Sequence, residues 1–543
     1  MSTMKASEAL MQIFHAEGVE YVFGLPGSTE LEFMDSLEDH PEIKYILGLH
    51  ECIVASMAIG YARASGKVGV LNLHTFVGLG GAMTTLFDAY RSGIPLIVTA
   101  GQGDTHGIIR EGPLSADLVT LGKTFSKWSA EVSHAANLDL IMRRAFKVAT
   151  QSPTGPVFVS LPQNVMGESL DFEYAANPPL SFSRQLPDRE SIERAANLIA
   201  KAQKPVVMLG PSVAKNQAIP EVVELVELIG APAFVPGMSS DTLFPTTHRQ
   251  FMGATTRGLM EAVDVTIAFA AQATFGAQAT ATKNVIRIDN DPWELGKNAP
   301  VTAGIQGDVK LSVAELNSAL KKIMSSADHQ AAKSRAENIG REKEALKAKW
   351  LSQAEKERNS IPMYASRLAQ GLARVLQPGT VIVDESWSHS TTIQQYLDFP
   401  EPSSYFRHNG VAIGQGMPIA LGVQLAMPDK PVVALIGDGS AAWSCQSLWT
   451  AAYYNIPVKF VIIHNASYRM VKTMKLRRLG EQTRGKNLGL NLEAPVIDFC
   501  QMAKAMGVSG QRVDQPEKLE KTLKAVLKSD KPELVEVPVE GKI

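Results

Sequence analysis

Short apolar runs alternate with segments of helical periodicity along most of this chain. In the first third, four runs of three to six residues are mainly apolar: residues 21–23, 45–49, 68–73 and 96–100. Runs of this length fit a buried strand better than a helix. Between them, apolar residues recur at helical spacing within residues 30–37, 53–64 and 81–91. This alternation predicts an α/β domain built on a doubly wound parallel sheet.

The same alternation returns twice, which predicts two further α/β domains. The apolar runs of these domains are residues 206–209, 232–235, 265–269, 285–288, 381–383, 432–436 and 460–463, with a last strand at Val537. A proline-rich polar stretch at 164–189 is typical of a linker. Residues 308–360 are helical in pattern and densely charged, which indicates a solvated connecting helix. We therefore expect three doubly wound parallel-sheet domains at 1–170, 190–330 and 360–543.

The segment 431–472 is the most informative part of the chain. Its first apolar run is followed by Gly437-Asp438-Gly439-Ser440 and then by a helical pattern that Pro457 closes. A second apolar run ends on His464-Asn465. This order predicts a βαβ unit, whose parallel strands place both loops at one carboxyl edge of the sheet. We therefore expect Asp438 and Asn465 to lie side by side where such sheets bind ligands.

The residue types at this edge indicate a metal and a phosphate group. A carboxylate, an amide carbonyl and free main-chain carbonyls are hard oxygen ligands that suit Mg²⁺, which shares its coordination sphere with phosphates. Backbone N–H groups of Gly439 and Ser440 at a helix N-terminus would attract a phosphate. A lone Gly-Asp-Gly is usually an ordinary turn. The additional asparagine after the next strand, about 25 residues on, makes a Mg²⁺-diphosphate site the better interpretation.

Composition narrows the setting of the protein. Of 543 residues, 45% are hydrophobic and 20% are charged, which is typical of a globular protein with about three domains. The net charge of −2 offers no general attraction to nucleic acid or to an anionic membrane. We find neither a membrane-spanning apolar window nor the apolar core of a signal peptide. Three widely separated cysteines fit a reducing compartment, so we expect a cytoplasmic protein.

The pattern of Gly437-Asp438-Gly439 followed by Asn465 resembles the thiamine diphosphate (ThDP) motif. Other stretches are similar to those of benzoylformate decarboxylases, within the superfamily of ThDP-dependent 2-oxo acid decarboxylases and acetolactate synthases: GLPGSTELEF, LHECIVASMAIGYARASGK, LHTFVGLGGAM, PLIVTAGQ and SLWTAAYYNIP. The resemblance covers nearly the whole chain. It implies pyrimidine-binding, middle and diphosphate-binding domains, with ThDP and Mg²⁺ as cofactors.

The resemblance implies three catalytic residues. Glu51 opens an apolar helix, and alone it would be taken for a helix-capping acid. Beside a ThDP motif, it resembles the family's glutamate that lies at N1′ of the cofactor and promotes removal of the thiazolium C2 proton. Ser28, otherwise a helix N-cap, corresponds to a serine that binds the substrate carboxylate. His74, otherwise a structural histidine, corresponds to a histidine that relays protons.

The remaining site residues are implied as cofactor ligands. Ile413 corresponds to the large apolar residue under the thiazolium ring, which bends the cofactor. The backbone carbonyl of Ser467 would complete the Mg²⁺ ligands with Asp438 and Asn465. The full set expected to bind the cofactor is Glu51, Ser388, Ile413, Gly437, Asp438, Gly439, Ser440, Asn465, Ser467 and Tyr468.

Several departures from the family pattern leave the substrate open. Residues 269–279 contain no histidine where benzoylformate decarboxylase has a second active-site histidine. Trp387 replaces a small hydroxyl residue, and His464 replaces the usual asparagine. The Phe-Gln-Glu of acetolactate synthases is also missing, and the chain has Arg110-Glu111-Gly112 instead. The residues in place of the aromatic substrate pocket are Arg469, Met470, Val471 and Met474, of which Met470-Val471 resembles acetolactate synthases.

The resemblance implies decarboxylation of a small 2-oxo acid, with carboligation as a further outcome. One alternative is a ThDP-dependent carboligase or lyase of the acetolactate synthase or acyl-CoA lyase type. Another is a ThDP-fold subunit without catalysis, which the retention of Glu51 argues against. A plain Mg²⁺-nucleotide binder is disfavoured because no Gly-x-x-x-x-Gly-Lys loop is present. Relatives place the glutamate of one subunit against the diphosphate of another, so we expect a homodimer or homotetramer with active sites at the subunit interface.

Overall fold

In the part of the chain that the structure describes, three six-stranded sheets form the scaffold, which confirms the predicted α/β class. The computed structural model describes residues 2–174, 184–235, 241–254, 262–269, 284–407, 410 and 412–543. By contacts the chain divides into two units. The first comprises Met1–Leu180, Leu376–Ser388 and His408–Ile543, and the second comprises Ser181–Val375 and His389–Arg407.

The first sheet is parallel throughout and has the strand order β3-β2-β4-β5-β7-β6. Its central strands read as continuous apolar runs because helices cover both faces. In chain order the strands of this region are β1 (Ser2–Lys5), β2 (Tyr21–Leu25), β3 (Lys44–Leu47), β4 (Gly69–Leu73), β5 (Leu96–Gln102), β6 (Trp128–Glu131), β7 (Val157–Pro162) and β8 (Ser169–Phe172). The helices are α1 (Ala6–Ala16), α2 (Leu31–Glu38), α3 (Glu51–Ser65), α4 (Thr75–Arg91), α5 (Leu118–Gly122), α6 (Leu138–Thr150) and α7 (Gln163–Gly167).

The second unit contains the middle sheet, with the strand order β11-β10-β9-β12-β13-β14. Its strands are β9 (Pro205–Met208), β10 (Ala233–Val235), β11 (Phe251–Ala254), β12 (Val265–Phe269), β13 (Asn284–Asp289) and β14 (Ala303–Gln306). The described helices of this unit are α8 (Arg189–Ala200), α9 (Ser212–Lys215), α10 (Ile219–Ile229), α11 (Val309–Ile323), α12 (Ser326–Glu357), α13 (Ala365–Val375) and α14 (Ser390–Tyr396). One apolar core joins the strands to α8, α10 and α11.

The third sheet carries the segment 431–472. Within the first unit its strands run in the order β15-β17-β18-β20-β19, and neighbouring strands are parallel. The strands in this unit are β15 (Val381–Glu385), β17 (Val432–Gly437), β18 (Lys459–His464), β19 (Ser509–Arg512) and β20 (Glu533–Pro538), whereas β16 (Tyr405–Arg407) belongs to the second unit. The helices are α15 (Gly416–Ala426), α16 (Asp438–Trp443), α17 (Ser447–Tyr453), α18 (Arg469–Leu479), α19 (Phe499–Ala505) and α20 (Leu519–Val526).

One expectation for the end of the first domain is wrong. The expected linker at 164–189 begins with α7 and β8. Strand β8 pairs antiparallel with β1, which precedes the N-terminal helix. In β8, which reads Ser-Leu-Asp-Phe, only Phe172 is buried. A strand with a solvated face lacks the apolar run of a central parallel strand, so its sequence is easily taken for a loop.

Two helix boundaries also differ from expectation. The expected turn at Gly-Asp-Gly is the first turn of α16, because Gly437 is the extended N-cap and Asp438 is already helical. The charged connecting segment consists of two helices, since Ser325 and Asp328 form a capping box that starts α12 anew. Among the helices in the described ranges, none is long and apolar enough to cross a bilayer.

Candidate active site

The expected metal ligands lie together at the carboxyl edge of the third sheet. Strands β17 and β18 are parallel neighbours, and Gly437 pairs with Ile463. The Asp438 carboxylate accepts hydrogen bonds from two backbone N–H groups, at 2.8 Å from Gly439 and 3.1 Å from Asn465. The structure therefore brings Asp438 and Asn465 together at the edge where parallel sheets bind ligands.

A buried histidine lies next to Asp438. The Nε2 atom of His464 is 4.0 Å from Oδ2 of Asp438, and its Nδ1 atom is 2.8 Å from Oε1 of Glu536. Glu536 is fully buried on β20 and also pairs with Arg512. Sequence reasoning names His464 only as a departure and misses Glu536. An acid between two valines of the strand ELVEVP is nevertheless a signal, because buried polar groups require partners.

The surroundings of Asp438 fit a cation. Burial raises the pKa of its carboxyl, whereas the Gly439 N–H and the nearby His464 lower it. A cation would favour the charged form that burial disfavours. Ser467 is buried and follows Asn465 by two residues. Carboxylate, amide and carbonyl oxygens form the hard donor set that Mg²⁺ prefers, so these residues fit that ion.

The expected diphosphate contacts surround the first turn of α16. A β-carbon at Gly439 would lie 2.6 Å from Cε1 of Tyr468, so the Tyr468 ring requires glycine at this position. Ser440 is buried beside them, and Gly437 is the extended N-cap. Gly437, Gly439, Ser440 and Tyr468 therefore lie next to Asp438, and the free backbone N–H groups of the start of α16 lie among them.

Ile413 is half-buried in a turn of residues 412–416, named the 412–416 turn below. Gly414 in this turn has φ +83°, a region that favours glycine. A β-carbon there would lie 2.6 Å from Cβ of Trp443, at the end of α16. The turn that carries Ile413 is therefore in contact with the helix that begins at Asp438.

Ser388 follows β15 in a short 3₁₀ turn, Trp387–His389. Strand β15 is the parallel neighbour of β17, with Glu385 paired to Ile436, so this turn also lies at the carboxyl edge. Trp387, which replaces a small residue of the family pattern, has φ +48°. A bulky residue in the left-handed region is strained, and such strain persists where the surroundings fix one backbone shape.

The N-terminal domain holds a second polar cluster, centred on Glu30. Its buried carboxylate accepts hydrogen bonds from the N–H groups of Gly27 at 2.7 Å and Gly101 at 2.9 Å, and from the Thr29 hydroxyl at 2.7 Å. Its Oε2 atom is 2.9 Å from Nδ1 of His74. A carboxylate at Nδ1 assigns the proton to that nitrogen and leaves Nε2 for chemistry.

Sequence reasoning misses Glu30, which it includes only as the first residue of the helical pattern at 30–37. The signal lies in two glycines at strand ends. A β-carbon at Gly101 would lie 1.9 Å from Oε1 of Glu30, and one at Gly27 would lie 2.3 Å from Nδ1 of His74. Ser28 itself is exposed and opens a 3₁₀ turn directly after Gly27. The structure therefore places Ser28 beside the Glu30–His74 pair.

Replacing Glu30 with glutamine is expected to lower kcat about 10- to 100-fold, a part of what a positioned acid or base contributes. The amide would set N–H donors against backbone N–H groups or against the His74 proton, so the imidazole would lose its fixed orientation. The pH profile of kcat and the ThDP affinity measure the effect; the profile should shift and the affinity should not. Glu32→Gln, which removes only a surface pair with Lys5, is the control. An unchanged pH profile in Glu30→Gln would contradict this role.

Glu51 opens α3 and faces α4. Its side chain is 20% exposed, and a β-carbon at Gly81 would lie 2.6 Å from its Oε2 atom. The cap of α3 is His50, whose Nδ1 accepts a hydrogen bond from the N–H of Cys52 at 3.1 Å. Because the helix already has a side-chain cap, the Glu51 carboxylate is available for another task.

Helix α4 extends from His74 and Glu51 to the 412–416 turn. His74 precedes its first turn, Gly81 faces Glu51, and Asp88 accepts a hydrogen bond at 3.0 Å from the first N–H of the 412–416 turn. These three positions of α4 are seven residues apart, so they share one face of the helix at intervals of about 10 Å.

Helices α3 and α15 run antiparallel and in close contact. A β-carbon at Gly60 would lie 2.2 Å from the carbonyl oxygen of Ile419, and one at Gly422 would lie 2.0 Å from that of Met57. Glu51 is therefore at one end of the helix pair, and the turn that precedes α15 is at the other. At a rise of 1.5 Å per residue, Glu51 and this turn are about 18 Å apart along the helix axes. One chain thus carries two separate groups of candidate site residues: the group around Glu51 and His74 is named the N-terminal half-site, and the group around Ile413 and Asp438 the C-terminal half-site.

The residues that depart from the aromatic pocket of the family lie on α18, which starts directly after Tyr468. Val471 and Met474 are exposed at 48% and 60%. Arg469 donates a hydrogen bond to the carbonyl of Lys542 at 3.2 Å, and burial lowers the pKa of its guanidinium. The stretch 269–279 without histidine lies, apart from Phe269, outside the described residues.

Three family models of thiamine pyrophosphate (ThDP) enzymes match the chain. The N-terminal TPP binding domain matches residues 4–118, the central domain matches residues 192–316, and the C-terminal TPP binding domain matches residues 388–537. The chain belongs to this family, which confirms the predicted membership and its ThDP cofactor.

Related proteins define the type of enzyme. A benzoylformate decarboxylase of Pseudomonas aeruginosa is 32% identical over 548 residues, with 98% of each chain covered. A probable acetolactate synthase large subunit of Methanococcus aeolicus is 28% identical over 569 residues, with 99% of this chain and 92% of that one covered. A solved thiamine diphosphate-dependent 4-hydroxybenzoylformate decarboxylase of Rhodococcus jostii RHA1 matches with a TM-score of 0.85 at 28% identity, with 99% of each chain covered. The chain is therefore a ThDP-dependent carbon–carbon lyase of the decarboxylase and acetolactate synthase type.

Proposed function

We propose that this enzyme uses ThDP and Mg²⁺ to decarboxylate a small 2-oxo acid, in the manner of benzoylformate decarboxylases. The observation that carries the proposal is the contact of His74 Nδ1 with the buried Glu30 carboxylate at 2.9 Å, beside the exposed Ser28. Such a histidine can transfer protons through Nε2, and a neighbouring hydroxyl can hold a carboxylate. Decarboxylation of a 2-oxo acid needs both functions.

The expected cofactor residues form two groups, one in each half-site. Asp438, Asn465 and the carbonyl of Ser467 would hold Mg²⁺, because they offer hard oxygen donors around a carboxyl whose pKa is raised by burial. Glu51 would face the aminopyrimidine, and Ile413 would lie under the thiazolium. The residues around the diphosphate would be Ser388, Gly437, Gly439, Ser440 and Tyr468.

Each catalytic residue has a separate task in this proposal. When bound, ThDP supplies the carbon nucleophile that adds to the 2-oxo group and the electron sink that accepts the electron pair as CO₂ leaves. Glu51 exchanges a proton with the cofactor's aminopyrimidine. The Ser28 hydroxyl donates a hydrogen bond to the substrate carboxylate and so orients it. His74 takes up a proton from solvent at Nε2 and delivers it to the product carbon, while Glu30 holds the N–H of the other ring nitrogen.

We further propose that two copies of the chain complete each site. Glu51 and the turn before α15 are about 18 Å apart in one chain. Large apolar side chains are exposed beside both half-sites: Phe76 at 54% and Val77 at 63% follow His74, and Trp443 at 59% ends α16. Contiguous exposed apolar surface marks protein–protein contact. A second copy would cover these residues, which supports a homodimer or a homotetramer with sites at the interface.

Domain boundaries and cellular location also belong to this proposal. Boundaries at 1–170, 190–330 and 360–543 are supported by the three sheets and by the three family matches. A cytoplasmic location is supported by the cysteines, since Cys52, Cys445 and Cys500 are all free thiols.

Carboligation is the second candidate function. Met470-Val471 at the start of α18 is the feature of this site that resembles acetolactate synthases, and one such relative is 28% identical over nearly the whole chain. A carboligase would use the same cofactor and the same Glu51. In it, the substrate-derived carbon would form a bond to a second carbonyl compound, whereas in a decarboxylase that carbon receives a proton.

The test of the proposed function is a substrate panel of pyruvate, longer aliphatic 2-oxo acids and benzoylformate. We expect ThDP- and Mg²⁺-dependent CO₂ release, with benzoylformate turned over about tenfold or more slowly than the best substrate, because one general acid–base histidine is missing. CO₂ release, aldehyde and ligated products are quantified together. Absence of ThDP-dependent CO₂ release would refute the function. Ligated product without aldehyde would favour the carboligase, and benzoylformate as the best substrate would refute the argument from the missing histidine.

A further inference from the structure

The 412–416 turn is held from one side by a buried glutamate at the end of β15. Oε1 of Glu385 accepts a hydrogen bond from the N–H of Gly414 at 2.8 Å, and Oε2 accepts one from the N–H of Gly416 at 2.6 Å. Glu385 is fully buried. Both of its carboxylate oxygens are therefore used on alternate amides of a single turn.

A second buried carboxylate holds the same turn from helix α4. Oδ2 of Asp88 accepts hydrogen bonds from the N–H of Ala412 at 3.0 Å and from Nε2 of Gln415 at 2.6 Å. A β-carbon at Gly410 would lie 2.3 Å from Cγ of Asp88, so the backbone approaches this carboxylate as closely as glycine allows. Asp88 is only 2% exposed. Two domains of the first unit thus each supply one acid to the turn.

Burying two carboxylates against one short turn costs free energy unless both are hydrogen-bonded. Burial raises the pKa of Glu385 to about 7, while the N–H groups of Gly416 and Gly414 lower it. Charge-assisted hydrogen bonds to backbone amides offset part of this penalty and fix geometry more tightly than neutral ones. Ile413 lies between two of the fixed amides, at 412 and 414. Its backbone is therefore oriented from both sides before any ligand binds.

We propose that Glu385 and Asp88 are positioning residues that preset the 412–416 turn, so that Ile413 meets ThDP in the shape that activates it. The inference rests on the proposed ThDP site. Neither acid reaches the cofactor in this scheme; both act through the backbone that carries Ile413. Preorganisation of this kind matters because small displacements of a contact residue reduce turnover strongly.

Three substitutions separate positioning from general loss of charge. Glu385→Gln keeps the size of the side chain but places an amide N–H₂ against a backbone N–H. Asp88→Ala removes both acceptor contacts, whereas Asp88→Asn is the conservative variant, because its one carbonyl oxygen can still take the place of Oδ2. The matched control is Asp289→Asn, which removes a buried acid of the middle sheet whose pKa burial raises to about 6.

The first readout is hydrogen–deuterium exchange of the peptide spanning 410–418 in protein without cofactor, together with the melting temperature. The second is deuterium exchange at C2 of bound ThDP, with ThDP affinity measured by calorimetry. We expect faster amide exchange in Glu385→Gln and Asp88→Ala, and C2 exchange slowed about 10- to 100-fold, while ThDP still binds. Asp88→Asn should recover most of the C2 rate, and Asp289→Asn should match the wild type.

The outcomes distinguish this inference from the proposed function. C2 exchange at the wild-type rate in both Glu385→Gln and Asp88→Ala would overturn the inference and leave the proposed function intact. A loss of C2 exchange that only follows a loss of folding would also overturn it, because the acids would then stabilise the fold and not the turn. If the wild-type enzyme bound no ThDP, the proposed function would fail and the inference with it.

Discussion

Replacing Glu51 with glutamine is expected to reduce kcat by about 10²- to 10⁴-fold and to leave ThDP affinity within about threefold. The carboxyl faces Gly81 on α4 with one-fifth of its surface exposed, and the α3 cap is already supplied by His50. Glutamine preserves the size and the hydrogen-bonding capacity of the side chain but cannot exchange a proton. Turnover with the best 2-oxo acid, C2 deuterium exchange and calorimetric ThDP binding measure the result.

The control for Glu51→Gln is Glu20→Gln, a carboxylate of the same domain that binds the Tyr61 hydroxyl and Lys67 away from both half-sites. That variant should keep full turnover. Turnover of Glu51→Gln within about threefold of wild type would remove Glu51 from the mechanism. A loss of ThDP binding equal to the loss of turnover would assign Glu51 to cofactor binding and not to proton exchange.

The parts of the fold that sequence predicts are those with a strong local pattern. Strands β17 and β18 are buried on both faces, so they read as continuous apolar runs, and each is found within one residue of expectation. Strand β8 is not predicted from the sequence because one of its faces is solvated and its partner, β1, lies more than 160 residues earlier in the chain. Nothing in a short polar run identifies so distant a neighbour.

The same distinction explains which site residues sequence can find. Asp438 and Asn465 follow from the βαβ rule, because connections between parallel strands fix which ends share an edge. Glu30 and Asp88 do not, since their bonds join positions that are 44 and 324 residues apart. Each stands in a helical pattern where an acid usually faces water. Only the folded chain shows that these carboxylates are buried and fully used.

Glu385 illustrates a third case, in which the sequence selects a neighbouring residue and gives no task to Glu385 itself. The stretch Asp-Glu-Ser-Trp spans the end of β15, and Ser388 just beyond it is the residue that the family resemblance selects. The buried bonds from Glu385 to Gly414 and Gly416 span 29 and 31 residues. The glycines do suggest close backbone approach, but pattern alone cannot tell which group approaches.

Mixing two inactive variants is expected to restore activity if each site is shared between subunits. In a dimer of one Glu51→Gln chain and one Asp438→Asn chain, one site combines both substitutions. The other combines an intact Glu51 with an intact Asp438. Because a two-fold interface is reciprocal, hybrids purified through two different affinity tags should recover about half of wild-type activity. Each variant alone should be nearly inactive, since one lacks the proton-exchanging acid and the other a Mg²⁺ ligand.

The matched control pairs Glu51→Gln with His74→Ala. Both residues belong to the N-terminal half-site, so every site in that hybrid carries one substitution and activity should stay low. If each chain built its own site, the first hybrid would also stay inactive, because each chain would then carry one damaged site. Recovery in the first hybrid together with none in the control therefore requires Glu51 and Asp438 to come from different copies. The distance of about 18 Å along α3 and α15 favours the same arrangement.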